Sequence, residues 1–289
     1  MQASSPASPN RSVLRGFQSI AEGQVHYRYA EPAGSTDSLP LVMIHASPGS
    51  SLQIAGLVAE FGKTRRVIAP DTLGNGDSCP PAMAVPEIGD FSDALGRFLD
   101  AIGLDQCDLY GTHTGASIAM ELTIARPDRV RKLVIDGMGL YAPEEQAEIL
   151  RTYAPEITPD LNGSQFNWAW HFQRDQFLFW PWFQRDADHR RDTGLPEADD
   201  LHDMVVEVLK SIRTYHHSYR AAFRHPKRDR LPLITRPCIA AGETDDMLYP
   251  YLDEVVSLIP GGRRLDLPGH ATQQATAETV RLISGFLDE

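Results

Sequence analysis

A tight turn between an apolar strand and a helix constrains this chain more than any other stretch. Residues 107–110 form a short apolar run, Gly111-Thr112-His113-Thr114-Gly115 follows, and a helical pattern begins at Thr114 and stops before Pro127. A glycine on each side of the turn is required because a Cβ there would clash as the strand and the helix close together. The turn therefore presents His113 at its tip.

Three further motifs accompany the turn, and a set of buried-strand patterns surrounds them. The motifs are His45-Ala46-Ser47-Pro48-Gly49, Pro70-Asp71-Thr72-Leu73-Gly74-Asn75-Gly76-Asp77-Ser78, and Gly242-Glu243-Thr244-Asp245 followed by Gly269-His270. In this order they resemble the α/β-hydrolase fold superfamily, particularly its capped members of the epoxide hydrolase, haloalkane dehalogenase and esterase type. In that fold the strand–turn–helix is the nucleophile elbow.

The resemblance implies an α/β fold with a mostly parallel eight-stranded sheet, flanking helices and a helical cap insertion. The apolar run Leu41-Val42-Met43-Ile44 agrees with it, since strands buried on both faces of a parallel sheet lose their polar alternation. We expect residues 1–12 to be a disordered tail, 13–139 and 231–289 to be the core, and 140–230 to be the cap. The cap segment has no clear strand pattern and contains all four tryptophans.

Composition limits the partners and the location. The 39 acidic and 27 basic residues give a formal charge of −12, which argues against a nucleic-acid partner. No apolar run has the length of a membrane span, so no membrane partner is expected. The three cysteines form no paired motif, which favours a reducing, cytoplasmic compartment. We expect no cofactor; the oligomeric state is not predicted.

The resemblance also implies a base and the acid that orients it. By position, His270 is the base and Asp245 the acid, which would fix the imidazole tautomer and stabilise its protonated form. Asp246 is the alternative one residue along the chain, and Asp136 is a second alternative at the end of an earlier strand. A metal site of His113, His270 and Asp245 is disfavoured, because in a triad these groups lie in a row rather than converging on one point.

Two loops supply the predicted oxyanion hole, the pair of donors that would stabilise a negative oxygen. The backbone N–H groups of Ser47 and Thr114 are the expected donors, the latter aided by the helix N-terminus. His45 is expected to orient its own loop and to border the pocket.

His113 occupies the position where the superfamily usually has Ser, Cys or Asp. Four roles are compatible with the sequence. His113 forms a pair of bases with His270 that activates water; it attacks the substrate covalently; it serves proton-transfer, lyase or cofactor-free oxygen chemistry; or it is silent and the pocket only binds a ligand.

The aromatic residues of the cap segment predict the substrate class. Because the cap roofs the pocket in the superfamily, some of them should line it and favour a small apolar or aromatic molecule. The expected lining residues are Trp168, Trp170, Phe172, Phe179 and Trp182. The predicted function is hydrolysis of a small, largely apolar carbonyl compound, such as an ester, a lactone or an activated C–C bond. The alternative is a non-hydrolytic, cofactor-free enzyme or a ligand-binding member of the fold.

Overall fold

The computed structural model describes residues 13–289, which fold around one eight-stranded sheet. The tail predicted for residues 1–12 lies outside the described residues. The strands are β1 (Leu14–Ile20), β2 (Gly23–Ala30), β3 (Leu41–Ile44), β4 (Val67–Pro70), β5 (Cys107–Thr112), β6 (Val130–Asp136), β7 (Cys238–Glu243) and β8 (Arg263–Leu267).

The sheet is parallel except at one edge. Its strand order is β1-β2-β4-β3-β5-β6-β7-β8; β2 runs antiparallel to β1 and β4, and the remaining neighbours are parallel. The predicted fold class is therefore confirmed. The chain moves outward from β3 to β4 and then returns to the other side of β3 as β5. Such a reversal of strand order opens a crevice at the carboxyl ends of the strands, where ligands bind in open α/β sheets.

Helices cover both faces of the sheet, and another group lies between β6 and β7. The helices are α1 (Ala55–Phe61), α2 (Ile88–Ala101), α3 (Thr114–Ala125), α4 (Pro143–Thr152), α5 (Ser164–Leu178), α6 (Ala198–Lys210), α7 (Tyr215–Arg224), α8 (Lys227–Arg230), α9 (Leu252–Leu258) and α10 (Gln273–Leu287). Short 3₁₀ helices occupy Pro127–Arg129, Leu231–Leu233 and Tyr249–Tyr251. Among residues 13–289, no helix is long and apolar enough to cross a membrane.

Alternation along the central strands builds a core on each face. Val42 and Ile44 pack in one cluster with residues of α2 and α3, whereas Leu41 and Met43 pack in the other with α1 and α10. All four side chains are buried, as the uninterrupted apolar run of β3 predicts. Both faces of the sheet are therefore covered, and a site can form only at the loops that follow the ends of the strands.

The segment between β6 and β7 has a hydrophobic core of its own. Helices α4 to α8 lie in it, and we call this group the helical insertion. Its core is largely aromatic: the rings of Trp168 and Phe172 stack with centroids 4.6 Å apart, and the indole N–H of Trp182 donates to the carbonyl oxygen of Tyr153 at 3.0 Å. Such ring packing stabilises the insertion beyond its burial of area.

The turn between β5 and α3 is closed by contacts that only glycine allows. A Cβ on Gly115 would overlap the carbonyl groups of Ile44 and His45, and a Cβ on Gly111 would overlap the backbone of Gly115. The start of α3 therefore lies directly against the end of β3, and the two loops that follow β3 and β5 are held side by side.

We predict that Gly115→Ala destabilises the protein by roughly 1–3 kcal/mol, because the added methyl group meets backbone atoms that cannot move independently. Gly285→Ala is the control, since nothing lies within 4 Å of its Cβ position in α10; an exposed helical glycine gains about 0.5–1 kcal/mol on change to alanine. Urea denaturation measures both. Equal stabilities of the two variants would contradict the close packing of the turn.

Candidate active site

His113 lies at the tip of the elbow in a backbone conformation that few residues adopt. It connects β5 to α3 with φ 51° and ψ −108°, and among residues 13–289 it is the one non-glycine residue with positive φ. Its backbone N–H donates to the carbonyl oxygen of Asp136 at 3.0 Å, which fixes the turn to β6. Such a backbone conformation costs on the order of 1–3 kcal/mol. It directs the side chain of His113 away from the sheet.

The imidazole of His113 is paired with Asp246. Its Nε2 lies 2.7 Å from Oδ2 of Asp246, while the other oxygen of that carboxylate accepts from the N–H of Leu248 at 2.6 Å. Burial lowers the pKa of His113, but the charge of Asp246 and its hydrogen bond outweigh burial, and the net pKa lies above the usual value. Burial likewise raises the pKa of Asp246, but His113 outweighs it and the net pKa is lowered. The pair therefore favours a carboxylate that accepts from Nε2–H.

A glycine at the end of β6 fixes the orientation of this ring. Gly137 has φ +69°, and a Cβ there would lie 2.6 Å from Cδ2 and 2.8 Å from Nε2 of His113. The Cδ2–Nε2 edge of the ring therefore rests against Gly137. Nδ1 is on the opposite edge, and with Nε2–H bound to Asp246 it carries the lone pair of a neutral imidazole.

His270 is held by a different carboxylate from the one the sequence predicts. Its Nδ1 lies 2.9 Å from Oε1 of Glu243, and this hydrogen bond raises the pKa of His270. The expected partner, Asp245, is exposed. The predicted His270–Asp245 pairing is thus wrong: in the turn after β7, closed by Asp246 N–H to Glu243 O at 3.0 Å, residues 243 and 246 are the ones that meet the histidines.

The physical reason lies in the length of the elbow side chain. An imidazole extends farther from the backbone than the hydroxymethyl group of a serine, and His113 reaches the carboxylate of Asp246 directly. His270 then pairs with Glu243, at the end of β7. Two imidazole–carboxylate pairs result where the resemblance implies a single row of three groups.

Asp136, the second alternative acid, is buried at the end of β6. Within residues 13–289, its carboxylate forms no hydrogen bond to the imidazole ring of His113 or of His270. The phenol of Tyr110 donates to its Oδ2 at 2.5 Å. Burial raises the pKa of Asp136 to about 6, although the bond from Tyr110 opposes the shift. This carboxyl group is therefore a buried neighbour of the pairs.

The predicted oxyanion donors border the same space. Ser47 and Thr114 both line the cavity above His113. Thr114 is the first residue of α3, so its N–H has no acceptor within the helix. The hydroxyl of Ser47 lies 2.7 Å from that of Ser218 in α7, which in turn accepts from the amide of Asn75 at 3.1 Å.

His45 lies beneath the site and does not line the cavity, contrary to the pocket prediction. It is fully buried; its Nδ1 lies 2.8 Å from the carbonyl oxygen of Ala46, and its Nε2 accepts from the N–H of Thr72 at 2.9 Å. Burial lowers its pKa, so the neutral ring is favoured. His45 connects the loops after β3 and β4 and thereby positions the segment that contains Ser47.

A cavity of about 710 Å³ separates the sheet from the helical insertion. Its aromatic lining is Tyr141, Tyr153, Phe177, Trp180, Tyr219 and Phe223. Its charged lining is Asp200, Asp203, Glu207, Glu243, Asp245 and Asp246, with Arg191 and Lys227 as the cations. The cavity is aromatic in part and acidic in part, so it is less apolar than the sequence predicts.

The aromatic residues predicted to line the pocket lie elsewhere. Phe172 and Trp182 are buried in the core of the insertion, where Trp168 packs against them. Trp170 is exposed, and Phe179 pairs with Arg190 in an isolated β-bridge. None of the five lines the cavity, so the pocket prediction for them is wrong; the apolar faces of Trp168, Phe172 and Trp182 instead hold the insertion together.

One cluster of metal-binding residue types exists in residues 13–289, away from the two imidazole pairs. It consists of His26, Asp71 and Asp77, whose ligand atoms lie within 4.8 Å of one another. Both ring nitrogens of His26 have partners, Asp71 at 2.8 Å and the guanidinium of Arg15 at 2.9 Å. The cluster thus has a structural role, joining β1, β2 and the loop after β4.

The comparisons with known proteins agree with this architecture. Residues 40–200 match the family described as the alpha/beta hydrolase fold, and this is more than half of the 289 residues. The chain belongs to that family, as the motifs predict.

Several individual proteins are similar to parts of this chain or to its fold. The chain is 39% identical over 133 residues to 2-hydroxymuconate semialdehyde hydrolase of Pseudomonas sp., covering 45% of this chain and 46% of the relative. It is 31% identical over 133 residues to haloalkane dehalogenase 2 of Mycobacterium bovis, covering 46% and 44%. The matches therefore span less than half the length of these curated relatives. The enol-lactonase of Burkholderia xenovorans shares the fold, with a TM-score of 0.70 and 18% identity over 95% of this chain and 100% of that one.

The sequence does not single out the two carboxylates that pair with the histidines, Asp246 and Glu243, as the first choice of acid. Asp246 was the alternative acid, and its local signal is the turn it forms: aspartate favours accepting from the backbone two residues on, as it does from Leu248. Glu243 has no such signal, because its role depends on the position of His270 across the β7–β8 edge.

We predict that the pKa of His113 lies above the ordinary value for histidine and falls in Asp246→Asn, because the amide removes the negative charge that stabilises the imidazolium. NMR titration of the imidazole protons measures it, with His113→Gln to assign the resonance. Asp245→Asn is the matched control one residue away and should leave this pKa unchanged. An equal shift in both variants would show a general field effect instead of the direct pair.

Proposed function

We propose that this protein is a hydrolase of small carbonyl compounds in which the His113–Asp246 pair replaces the usual nucleophile. The observation that carries the proposal is the 2.7 Å contact between Nε2 of His113 and Asp246, at the elbow tip and on the wall of the cavity. An imidazole held in this way is a general base suited to neutral pH.

The reaction follows from the arrangement. Nδ1 of His113 takes a proton from water as the water oxygen attacks the carbonyl carbon. The carbonyl oxygen becomes negative and accepts from the N–H groups of Ser47 and Thr114. The intermediate then collapses, and His113 returns the proton to the leaving group, giving an acid and the protonated leaving group from substrate and water. Asp246 stabilises the imidazolium throughout.

The cavity supports a substrate with an apolar or aromatic part. Six aromatic side chains border it, and a volume of about 710 Å³ suits a small organic molecule. The name of the Pseudomonas relative, a hydrolase of a semialdehyde, agrees with a carbonyl substrate. Esters, lactones and activated C–C bonds next to a ketone all present the carbonyl carbon that this chemistry needs.

His270 has a secondary role in this proposal. It is held by Glu243 and is absent from the residues that line the main cavity within the described part of the chain. The role of base, which the resemblance gives to His270, therefore passes to His113. The hydrogen bond to Glu243 raises the pKa of His270 and so favours its protonated form beside that carboxylate.

We predict that a panel of esters, thioesters, lactones and β-diketones contains a substrate whose turnover falls by about 10²–10⁴ in His113→Ala, the usual contribution of a general base. Asp246→Asn should lose most of the activity, whereas Asp245→Asn should retain it. Turnover should decline as pH falls through the raised pKa of His113, since only the neutral ring accepts a proton; steady-state kinetics measures each value.

Full turnover in His113→Ala on such a substrate would remove this residue from the mechanism. Loss of activity in His270→Ala, with His113→Ala unaffected, would return the role of base to His270. No turnover on any member of the panel, together with ligand binding in the cavity, would favour the ligand-binding alternative.

We also predict that organophosphates and sulfonyl fluorides form no stable adduct on the elbow, because these reagents require an activated hydroxyl group. Intact mass spectrometry after treatment should give the mass of the untreated protein. A serine esterase treated in parallel is the positive control, since it carries the activated hydroxyl that these reagents need. Labelling of Ser47 or Thr112 in the wild type, with activity lost in step, would identify a different nucleophile.

A further inference from the structure

We propose that Lys227 binds an anionic group of the substrate, a carboxylate, at one end of the cavity. Lys227 begins α8, at the end of the helical insertion, and its side chain is 8% exposed. It lines the main cavity and also a neighbouring one of about 160 Å³, with Gly139 and Tyr141 shared between the two. The residue is thus inside the protein and at the border of the space available to a ligand.

The amino group of Lys227 has little compensation for its charge. Its Nζ donates to the carbonyl oxygen of Ala222 at 2.6 Å and lies 5.8 Å from the ring centre of Tyr141. Within residues 13–289, no carboxylate forms an ion pair with it at the 4.0 Å limit, and the charged neighbour that shifts its pKa is the cationic Arg228. An ammonium group has three N–H donors, and a buried cation is usually paired with an anion. Lys227 therefore retains the capacity to bind one.

The local field at Lys227 is positive although the cavity as a whole is acidic. Burial, together with the positive charge of Arg228, lowers the pKa of Lys227 to about 8. The acidic residues Asp200 and Asp203, which also line the cavity, belong to a different helix, α6, and form no ion pair with Lys227. An anionic group is repelled by those carboxylates and attracted to Lys227, which orients the molecule.

Arg191, the other cation of the cavity lining, differs from Lys227 in its contacts. Its guanidinium donates to the carbonyl oxygens of Gln176 at 2.7 Å and Asp245 at 3.0 Å, and so connects parts of the protein. Arg191 has a structural use for its charge, whereas Lys227 has one backbone acceptor and an aromatic face.

The proposal specifies a substrate class: a carbonyl compound that also bears a carboxylate, with an apolar chain between the two. The aromatic rings of Tyr141 and Phe223 lie beside Lys227's cavity wall and suit such a chain. This assignment rests on the proposed function, because it takes the cavity above His113 as the site of reaction. The binding of the carboxylate itself is tested without any reaction.

The first experiment compares hexanoate with hexanamide, which has nearly the same shape and no charge, by isothermal titration calorimetry. We expect the wild type to bind hexanoate about tenfold tighter or more, as a charged hydrogen bond provides. Lys227→Met should lose this preference, and Lys63→Met, which removes an exposed charge at the end of α1, should keep it. Equal binding of the two compounds to the wild type, or a preference retained in Lys227→Met, would overturn the proposal.

The second experiment compares monoethyl adipate with diethyl adipate as substrates. If Lys227 binds the carboxylate, Lys227→Met should raise KM for the half-ester about tenfold while kcat changes little, and the diester should be unaffected. An equal loss on both compounds would assign Lys227 a structural role and refute the proposal. Charge-dependent binding of hexanoate without hydrolysis of either ester would retain the anion site and reject the proposed hydrolase.

Discussion

The exclusion of side-chain atoms between β3, β5 and the start of α3 is the constraint on which the site depends. Gly115 rests on the backbone of Ile44 and His45, so there is no space for even one methyl group between the helix and the strand. This contact forces the chain to reverse at His113 with a positive φ and brings the loop of Ser47 next to the N-terminus of α3. The positions of the proposed base, His113, and of the proposed oxyanion donors are thus consequences of one steric condition.

Much of the fold could be predicted because its signals are local. The apolar run of β3 and the alternation of β2 specify buried and half-buried strands, and the glycines of the turn specify close packing. The acid partner could not be predicted in the same way. Asp245 and Asp246 are adjacent in the loop after β7, yet Asp245 is exposed and Asp246 is partly buried. The acid partner is Asp246 because it binds His113, which lies more than a hundred positions away in the sequence.

The lining of the cavity was mispredicted for a related reason. Hydrophobic periodicity indicates that a side chain leaves water, but not whether it enters a packed core or borders an open space. Phe172 and Trp182 enter the core of the insertion, whereas Tyr219 and Phe223 of α7 border the cavity. The insertion needs an aromatic core because it lies outside the two cores that enclose the sheet, and the most apolar residues are used there.

The hydrogen bonds that join Ser47, Ser218 and Asn75 connect the helical insertion to the loops of the sheet. Ser218 belongs to α7, while Ser47 and Asn75 belong to loops at the carboxyl edge of the sheet. A movement that carried α7 outward to enlarge the entrance would break both bonds and release the segment that presents the N–H of Ser47. If Ser47 donates to the substrate as proposed, opening the entrance through α7 and holding this donor in place therefore depend on the same two hydrogen bonds.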